Sequence, residues 1–213
     1  MIKRKKLKTK YKVIIAICIA ICLAIACLLE AVIIYRNTVN KIGESAFTPN
    51  ETVKVAEGYV NKYNYFIDDE KAYYIEDWCK TIDIDPNLVM AILMQENPDA
   101  KIDAVSKPNI NGSVDMGLFQ LNSKYVYTTF KDAYWEFDKE WMTDPAEFNP
   151  MNWQHNSYVA IRLIKDLYDT FNGDIEKIAA GYNCGTGRTL KGNLPAATIA
   201  YQKSVLNYYN ALN

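Results

Sequence analysis

The residue best placed to do chemistry is Glu96, which lies near the end of the stretch "DIDPNLVMAILMQENP" at residues 83–98. Asp85 is a favourable N-cap, Pro86 suits the first helical position, and Pro98 disfavours helix at the residue before it. The spacing therefore predicts a helix that begins at Pro86 and ends at Glu96.

This helix would carry the Glu96 carboxyl group to the edge of an apolar core. Leu88 to Met94 are apolar on every side, which is typical of a helix buried at the centre of a domain. Partial burial and the negative partial charge of a helix C-terminus both disfavour a carboxylate, so we expect a raised pKa for Glu96. A carboxylic acid that is protonated near neutral pH is suited to general acid catalysis. The helix alone is equally compatible with a Glu96 that only hydrogen-bonds a loop or pairs with a lysine.

A second acid, Asp115, lies in the stretch "NINGSVDMGLFQLNS" at residues 109–123. The Asn111-Gly112 pair is typical of a tight turn, and this stretch is the best candidate for a small β-hairpin. Asp115 follows Glu96 by 19 residues, which is enough chain to cross a cleft. The sequence thus predicts one acid on a helix and another on a hairpin.

Metal and triad chemistry have little support in the sequence. The single histidine, His155, has no His/Cys cluster around it, so a zinc site is not expected. Ser-His-Asp catalysis would depend on that histidine without a motif around it. We therefore predict neither a metal nor another cofactor.

The elements that must position these side chains are mostly helices. Apolar periodicity predicts helices over residues 70–81, 86–96, 156–171, 174–182 and 195–211, preceded by one from about Glu51 to Tyr65. Few segments alternate strictly enough to be strands. The predicted fold class is mainly α with one small β-hairpin, in a compact domain over residues 69–213.

The N-terminal sequence predicts a membrane anchor. Seven Lys and Arg residues lie within residues 1–12, and an apolar run interrupted only by Glu30 follows over residues 13–35. About 20 apolar residues span a bilayer core, and the basic flank favours a cytoplasmic N-terminus. We therefore predict a cytoplasmic tail over 1–12, one transmembrane helix over 13–35, and a tether with a juxtamembrane helix over 36–68.

Two alternatives to an uncleaved anchor stay open. Ala24-Ile25-Ala26 has the pattern of a signal-peptide cleavage site, and Cys27 is a candidate for lipid attachment. The apolar run continues through Ile33 and Ile34, where a signal peptide should have become polar. The anchor is therefore favoured. It predicts a single-pass protein of the bacterial cell membrane, with the chain after residue 35 on the outer side.

The charge balance of the chain excludes one class of partner. Without the seven basic residues of the tail, 17 Lys and Arg face 25 Asp and Glu, a formal net charge of −8. A nucleic-acid partner requires a basic face and is not expected.

Four motifs taken together resemble a known family. The motifs "PNLVMAILMQEN" (86–97), "DMGLFQLNS" (115–123), "AAGYNCG" (179–185) and "PAATIAYQKSVLNYY" (195–209) occur in the order and spacing of lytic transglycosylases with a goose-lysozyme-like fold. The resemblance covers residues 70–211. It implies a lysozyme-like fold and a bacterial enzyme that cleaves the glycan strands of peptidoglycan between N-acetylmuramic acid and N-acetylglucosamine.

The resemblance also implies roles for individual residues. Glu96 matches the single catalytic acid, which acts as an acid and then as a base to give a 1,6-anhydro product. Gln120 matches a glutamine that lines the cleft, and Tyr201 matches a tyrosine near the acid. Tyr182 and Asn183 match a pair that helps to hold the acid and the substrate.

Other positions carry the pattern with changes. Asn97 stands where Ser is usual and can still donate to a sugar N-acetyl group. Phe119 replaces the common Met in a wall on which sugar rings pack. Gly117 is expected to let the backbone come near the sugar. Ala197 stands where Glu is usual in the family, and an alanine side chain cannot make a polar contact at that position.

The stretch around Asp115 also resembles chicken-type lysozymes and the transglycosylases of conjugation and type IV secretion machines. In the lysozymes, the matching acid is the second catalytic carboxylate. Asp115 is therefore a candidate nucleophile, a candidate stabiliser of a cationic centre, or a turn residue whose side chain binds backbone amides. A muramidase that uses Asp115 and a catalytically silent peptidoglycan-binding scaffold are the alternatives to a transglycosylase, and a secretion or conjugation apparatus is a candidate partner.

Cys79 and Cys184 are the two cysteines outside the apolar N-terminal run. In an oxidising compartment they are about as well suited to a disulfide as to two buried thiols. Cys184 replaces a small residue in the "YNCG" motif, beside the expected cleft. The sequence therefore makes a Cys79–Cys184 bridge a hypothesis to check.

Overall fold

The computed structural model describes residues 52–130 and 145–213. In this part of the chain the fold is mainly helical with a two-stranded antiparallel hairpin, so the predicted fold class is confirmed. The elements in chain order are α1 Asp69–Thr81, α2 Pro86–Glu96, β1 Asp115–Met116, β2 Leu121–Asn122, α3 Val126–Thr128, a 3₁₀ turn Pro145–Glu147, α4 Trp153–Thr170, α5 Ile175–Cys184, α6 Thr186–Leu190 and α7 Ala196–Leu212.

Side-chain caps explain where the longer helices begin. Asp68 accepts a hydrogen bond from the Lys71 amide at the start of α1, and Asp174 does the same for Lys177 at the start of α5. Asn152 accepts from two amides in the first turn of α4. Each cap satisfies amide groups that have no partner within the helix. The helices predicted after residue 69 are therefore confirmed to within a few residues.

Helix α2 lies at the centre of the core, as its sequence predicts. It begins with the Asp85 cap and Pro86, and every residue from Leu88 to Leu93 is fully buried. Helix α7 packs against both α2 and α5, while α1 packs against α2 and α4. Helix α2 is thus held between α1 and α7.

The segment before α1 corrects the prediction of a helix from Glu51 to Tyr65. Its described residues, 52–68, form turns, and Gly58 has a φ of +79°. The Asn61 amide donates to the Ile67 carbonyl and accepts from the Tyr63 amide, so this side chain organises the turns. Tyr63 and Ile67 are buried in the same core as the helices. The compact domain therefore includes residues that the sequence analysis assigned to a tether.

The predicted tail over 1–12, the predicted transmembrane helix over 13–35 and the first part of the predicted tether lie outside the described residues. Within residues 52–130 and 145–213, no helix combines the length and apolarity needed to cross a bilayer.

The hairpin contains two turns where the sequence analysis expected one. Asn111-Gly112 does form a turn, which folds the chain back so that Val105 bridges to Met116. A second turn, Gly117–Gln120, joins β1 to β2 and pairs Asp115 with Asn122. Both ends of this second turn have positive φ, +73° at Gly117 and +51° at Gln120.

Candidate active site

Glu96 is the last residue of α2, and its carboxyl group meets α7. The Tyr201 hydroxyl donates a 2.6 Å hydrogen bond to Glu96 Oε1. Burial raises the pKa of Glu96 from 4.5 to about 7; the hydrogen bond from Tyr201 opposes this rise, and the charge of Asp115 adds to it. The sequence prediction of a raised pKa is therefore confirmed, with burial as its largest cause.

The hydrogen bond from Tyr201 also determines which oxygen of Glu96 carries the proton. Burial and the nearby Glu96 raise the pKa of Tyr201 well above its ordinary value, so its hydroxyl is a donor at neutral pH. Because Oε1 accepts from this hydroxyl, the proton of the neutral carboxylic acid belongs on Oε2. That oxygen has no hydrogen-bond partner within residues 52–130 and 145–213, so it is the one available to a ligand.

Asp115 is held in place by neighbouring asparagine side chains. Asn122 donates to its Oδ1 at 2.7 Å, and Asn109 donates to its Oδ2 at 3.2 Å. The Asp115 amide donates to the Ser106 hydroxyl at 2.8 Å. The carboxylate is therefore fixed by side-chain amides across the hairpin, whereas the turn role predicted backbone amides as its partners.

Gly117 and Phe119 do not have the surroundings that the sequence analysis expected. A Cβ on Gly117 would lie 2.4 Å from Asn156 Nδ2 and 2.7 Å from the Pro150 carbonyl oxygen. Phe119 is fully buried in the core. The glycine is therefore required by packing against protein, and the approach of its backbone to a sugar stays a prediction. The Phe119 ring is inaccessible in this structure, so the expectation that it forms a wall for sugar rings is corrected.

Gln120 is partly exposed on the hairpin turn, and its amide nitrogen is already used. Nε2 donates to the Gly117 carbonyl at 2.8 Å and to the Ala104 carbonyl at 3.2 Å. Its Oε1 accepts no hydrogen bond from the part of the chain that the structure describes. Oε1 is therefore the atom through which Gln120 could accept a hydrogen bond from a ligand. That Gln120 lines a cleft stays a prediction.

Asn97 connects the end of α2 to the hairpin and is only 5% exposed. Its amide nitrogen donates to the Lys101 and Leu118 carbonyls at 2.7 and 3.0 Å, and its oxygen accepts from the Lys101 amide. The side-chain donors are therefore occupied by the protein. The expectation that Asn97 donates to a sugar N-acetyl group is corrected to a structural role.

Tyr182 and Asn183, at the end of α5, join this helix to different neighbours. The Tyr182 hydroxyl donates to the Phe119 carbonyl at 2.9 Å, which braces the hairpin turn. Asn183 is exposed, and its Oδ1 accepts from the Thr198 hydroxyl at 2.7 Å. Tyr182 is therefore a brace for the hairpin, while Asn183 keeps an exposed amide nitrogen that can reach a ligand.

The hypothesis of a Cys79–Cys184 disulfide is wrong in this structure, because both residues are free cysteines. Cys79 is fully buried in α1, where burial raises its pKa well above the ordinary value. Cys184 lies at the end of α5 with its Sγ 3.8 Å from the Thr189 hydroxyl. Each thiol therefore remains unbridged in this structure.

Within the residues that the structure describes, no three His, Cys, Asp or Glu side chains are grouped so that they could hold a metal ion. His155 is buried, and burial lowers its pKa to about 4. Its Nδ1 accepts a hydrogen bond from the Asn149 amide at 3.0 Å. The histidine is therefore a neutral core residue at physiological pH.

Two asparagines that organise this region, Asn122 and Asn156, are not among the residues predicted from the sequence. Asn122 could have been found from its place seven residues after Asp115, the spacing of directly paired positions across a short hairpin. Asn156 carries no such signal, because it is a single asparagine within an amphipathic helix. Its partners on the hairpin are known only from the tertiary structure.

The fold thus places a buried carboxylic acid with a raised pKa at the end of a helix in a mainly helical domain, and such a group is suited to general acid catalysis. The family described as "Transglycosylase SLT domain" matches residues 73–204. The chain therefore belongs to the transglycosylase SLT domain family, and the resemblance stated from its sequence motifs is confirmed.

Two solved structures are similar to this chain. The lytic transglycosylase Slt from Pseudomonas aeruginosa, solved as an inactive mutant, matches with 18% identity and a TM-score of 0.51, over 65% of this chain and 23% of that one. The 70 kDa soluble lytic transglycosylase SLT70 from Escherichia coli matches with 21% identity and a TM-score of 0.49, over 68% of this chain and 25% of that one. The first likeness supports a lysozyme-like fold. The chain spans about a quarter of the length of these proteins, and no curated protein matches it.

Proposed function

We propose that the chain is a peptidoglycan lytic transglycosylase in which Glu96 is the only proton-transfer residue. The observation that carries the proposal is the Glu96 carboxyl group, whose pKa is raised to about 7 while Tyr201 fixes its orientation. An acid with this pKa is protonated in half or more of the molecules at neutral pH and below, and it can return to the same state after each cycle. Membership of the transglycosylase family supports the choice of substrate.

In the first half of the reaction, Glu96 delivers the proton of Oε2 to the glycosidic oxygen. The bond between that oxygen and C1 of N-acetylmuramic acid breaks, and the N-acetylglucosamine residue leaves with a free 4-hydroxyl. Positive charge develops at C1, where the N-acetyl oxygen of the same sugar shields it. The carboxylate left on Glu96 keeps its hydrogen bond from Tyr201.

In the second half, the C6 hydroxyl of the same sugar attacks C1. Glu96 takes the proton of this hydroxyl and becomes a carboxylic acid again. The product carries a 1,6-anhydro ring, and its atoms balance those of the substrate without added water. Because one residue gives and regains one proton, the cycle needs no second protein nucleophile.

The mass of the released muropeptides tests this proposal. The full chain in detergent is incubated with purified peptidoglycan, and the products are separated and weighed. Anhydro-ended products, one water lighter than hydrolysis products, are expected. Reducing ends would instead indicate a muramidase, and no release at high protein concentration would indicate a binding scaffold; either result would overturn the proposal.

Replacing Asp115 with Asn is expected to shift the pH profile of the reaction. The charge of Asp115 raises the pKa of Glu96, so its removal lowers that pKa. Since activity requires protonated Glu96, the fall of kcat with rising pH should begin at a lower pH. At pH 5, where Glu96 is still protonated, we expect kcat to stay within about tenfold of the parent value.

The exposed carboxylate of Asp103 supplies the matched control for this experiment. Asp103→Asn removes one negative charge from the same region and should leave the pH profile unchanged. A loss of several orders of magnitude at every pH in Asp115→Asn would instead mean that Asp115 is a covalent nucleophile.

We also propose that residues 13–35 anchor the domain in the cytoplasmic membrane, with residues 1–12 in the cytoplasm and the catalytic domain outside. The length of the apolar run and the seven basic residues before it support this orientation. Protease added to intact spheroplasts should digest the domain but spare the N-terminal segment. Full release of the protein into the medium would contradict the anchor. A secretion or conjugation apparatus stays a candidate partner of a protein in this location.

A further inference from the structure

Asn156 is a fully buried polar side chain that joins helix α4 to the hairpin. Its Oδ1 accepts a 2.7 Å hydrogen bond from the Phe119 amide, and its Nδ2 donates at 2.9 Å to the Met116 and Pro150 carbonyls. All of its hydrogen-bonding groups are therefore used on backbone atoms. A buried asparagine with such partners fixes the position of the backbone that it binds.

Two other helices hold the same four residues of the hairpin. Asn97, directly after α2, donates to the Leu118 carbonyl, and Tyr182 of α5 donates to the Phe119 carbonyl. Residues 116–119 are thus bound by one polar side chain from each of three helical elements. We call Asn97, Asn156 and Tyr182 the hairpin clamp.

The packing of Gly117 shows how closely the clamp holds the hairpin. The position of a Cβ on this residue is 2.4 Å from Asn156 Nδ2, so no larger side chain fits without displacing one of the two elements. The contact lies directly after β1, whose first residue is Asp115. Movement of residues 116–119 away from α4 would therefore move Asp115 as well.

Among the described residues, two titratable groups act on Glu96, and only one of them lies on the hairpin. Tyr201 is on α7 and contacts Glu96 directly, whereas Asp115 is on β1 and acts through its charge. The side-chain partners of Asn156 are backbone atoms of Met116, Phe119 and Pro150, so Asn156 does not bond Tyr201. Tyr182, in contrast, lies close enough to help raise the pKa of Tyr201. A substitution at Asn156 should therefore change the pKa of Glu96 by changing the position of the Asp115 carboxylate.

We propose that Asn156 is a positioning residue for the reaction: its hydrogen bonds to residues 116–119 fix the hairpin, and with it the Asp115 carboxylate, relative to Glu96. The proposal rests on the proposed function for its catalytic consequence. Its physical content, the coupling of Asn156 to the protonation of Glu96, can be measured without any activity.

The decisive experiment is an NMR titration of the Glu96 carboxyl carbon in the full chain, labelled with ¹³C-glutamate and solubilised in detergent. The Glu96 signal is assigned as the one that disappears in Glu96→Gln. We expect Asn156→Ala to lower the midpoint of this titration, in the same direction as Asp115→Asn. In the double variant Asp115→Asn/Asn156→Ala, the second change should add no further shift, because the charge that it moves is already gone.

Activity gives a second readout if the proposed function holds. For Asn156→Ala we expect the ratio of kcat at pH 8 to kcat at pH 5 to fall by about threefold, with KM within about threefold of the parent value. If the parent chain releases nothing from peptidoglycan, the proposed function fails, but the NMR titration still decides the role of Asn156.

Asn87 is a matched control for a purely structural effect. It is also a buried asparagine, and its side chain bonds Lys62, Tyr63, Leu212 and Asn213 at the start of α2. It lies nine residues before Glu96, about 13 Å along the helix axis. Asn87→Ala should lower stability and leave the Glu96 midpoint unchanged. An unchanged midpoint in a folded Asn156→Ala variant would overturn the proposal.

Tyr182→Phe covers the case in which Asn156→Ala does not fold. This change removes only the hydroxyl that bonds the Phe119 carbonyl and keeps the ring in place. The clamp predicts a smaller shift of the Glu96 midpoint in the same direction. No shift in this folded variant, or a shift to higher pH, would count against the coupling of the hairpin to Glu96.

Discussion

Replacing Glu96 with Gln is expected to lower kcat by about 10⁴-fold, because the amide can neither deliver the proton to the glycosidic oxygen nor take it back from the C6 hydroxyl. The release of anhydro-muropeptides under saturating peptidoglycan measures the effect. Glu57→Gln, at an exposed position, is the control and should retain full activity. Full activity in Glu96→Gln would refute the single-acid mechanism.

The same variant is expected to stabilise the fold at high pH. The folded-state pKa of Glu96 is about 7 and its unfolded value is 4.5, so unfolding above pH 7 relieves a buried charge. Protonated Glu96 makes its full contribution to the free energy of unfolding below about pH 4.5, and this contribution is lost as the pH rises through about 7. From this difference, Glu96→Gln should raise the free energy of unfolding by about 3 kcal/mol at pH 8 and by little at pH 4. Urea titrations at the two pH values test this, and an equal effect at both would contradict it.

Replacing Gly117 with Ala is expected to destabilise the domain by about 3 to 5 kcal/mol. A side chain at a φ of +73° is strained, and its Cβ would overlap Asn156 Nδ2 and the Pro150 carbonyl oxygen. The variant must therefore break hydrogen bonds that hold the hairpin to α4. Chemical denaturation measures the loss, and the Glu96 titration midpoint should fall as in Asn156→Ala.

Gly112 separates strain from packing in this prediction. It has a φ of +78° in the other turn of the hairpin region, but no atom lies within 4 Å of a Cβ placed there. Gly112→Ala should therefore cost only about 1 to 2 kcal/mol, the backbone term alone. Equal losses in the two variants would show that the contact with Asn156 contributes nothing.

Helix α2 was predictable because its signals are local. Asp85 and Pro86 define its start, Pro98 prevents its continuation, and the apolar run between them requires burial on every side. The raised pKa of Glu96 follows from the same facts, since a residue at the end of a buried helix is removed from water. The predicted helix before residue 69 failed for the opposite reason. There the Asn61 side chain binds backbone groups that a helix would have used, and the Tyr63 side chain is buried in the core formed by the helices.

The hairpin shows where sequence patterns reach their limit. Its glycine, its phenylalanine and Asn97 match positions that the family resemblance assigned to substrate, yet each contacts protein instead. The resemblance identifies positions that matter but does not say whether the requirement is for a ligand or for packing. Burial and hydrogen-bond partners decide that question for each residue.

The amino-acid sequence was sufficient for the helical class, the place of Glu96 at the end of a buried helix and the membership of the family, because caps, apolar periodicity and motif order are properties of neighbouring residues. Only the tertiary structure decided that Tyr201 orients the acid, that asparagines from both sides of the hairpin hold Asp115, and that Asn156 binds the hairpin backbone. The Tyr201–Glu96 and Asn156–Phe119 contacts join residues 105 and 37 positions apart in the chain. No local pattern encodes these two pairs, since they form only when the helices pack against one another and against the hairpin.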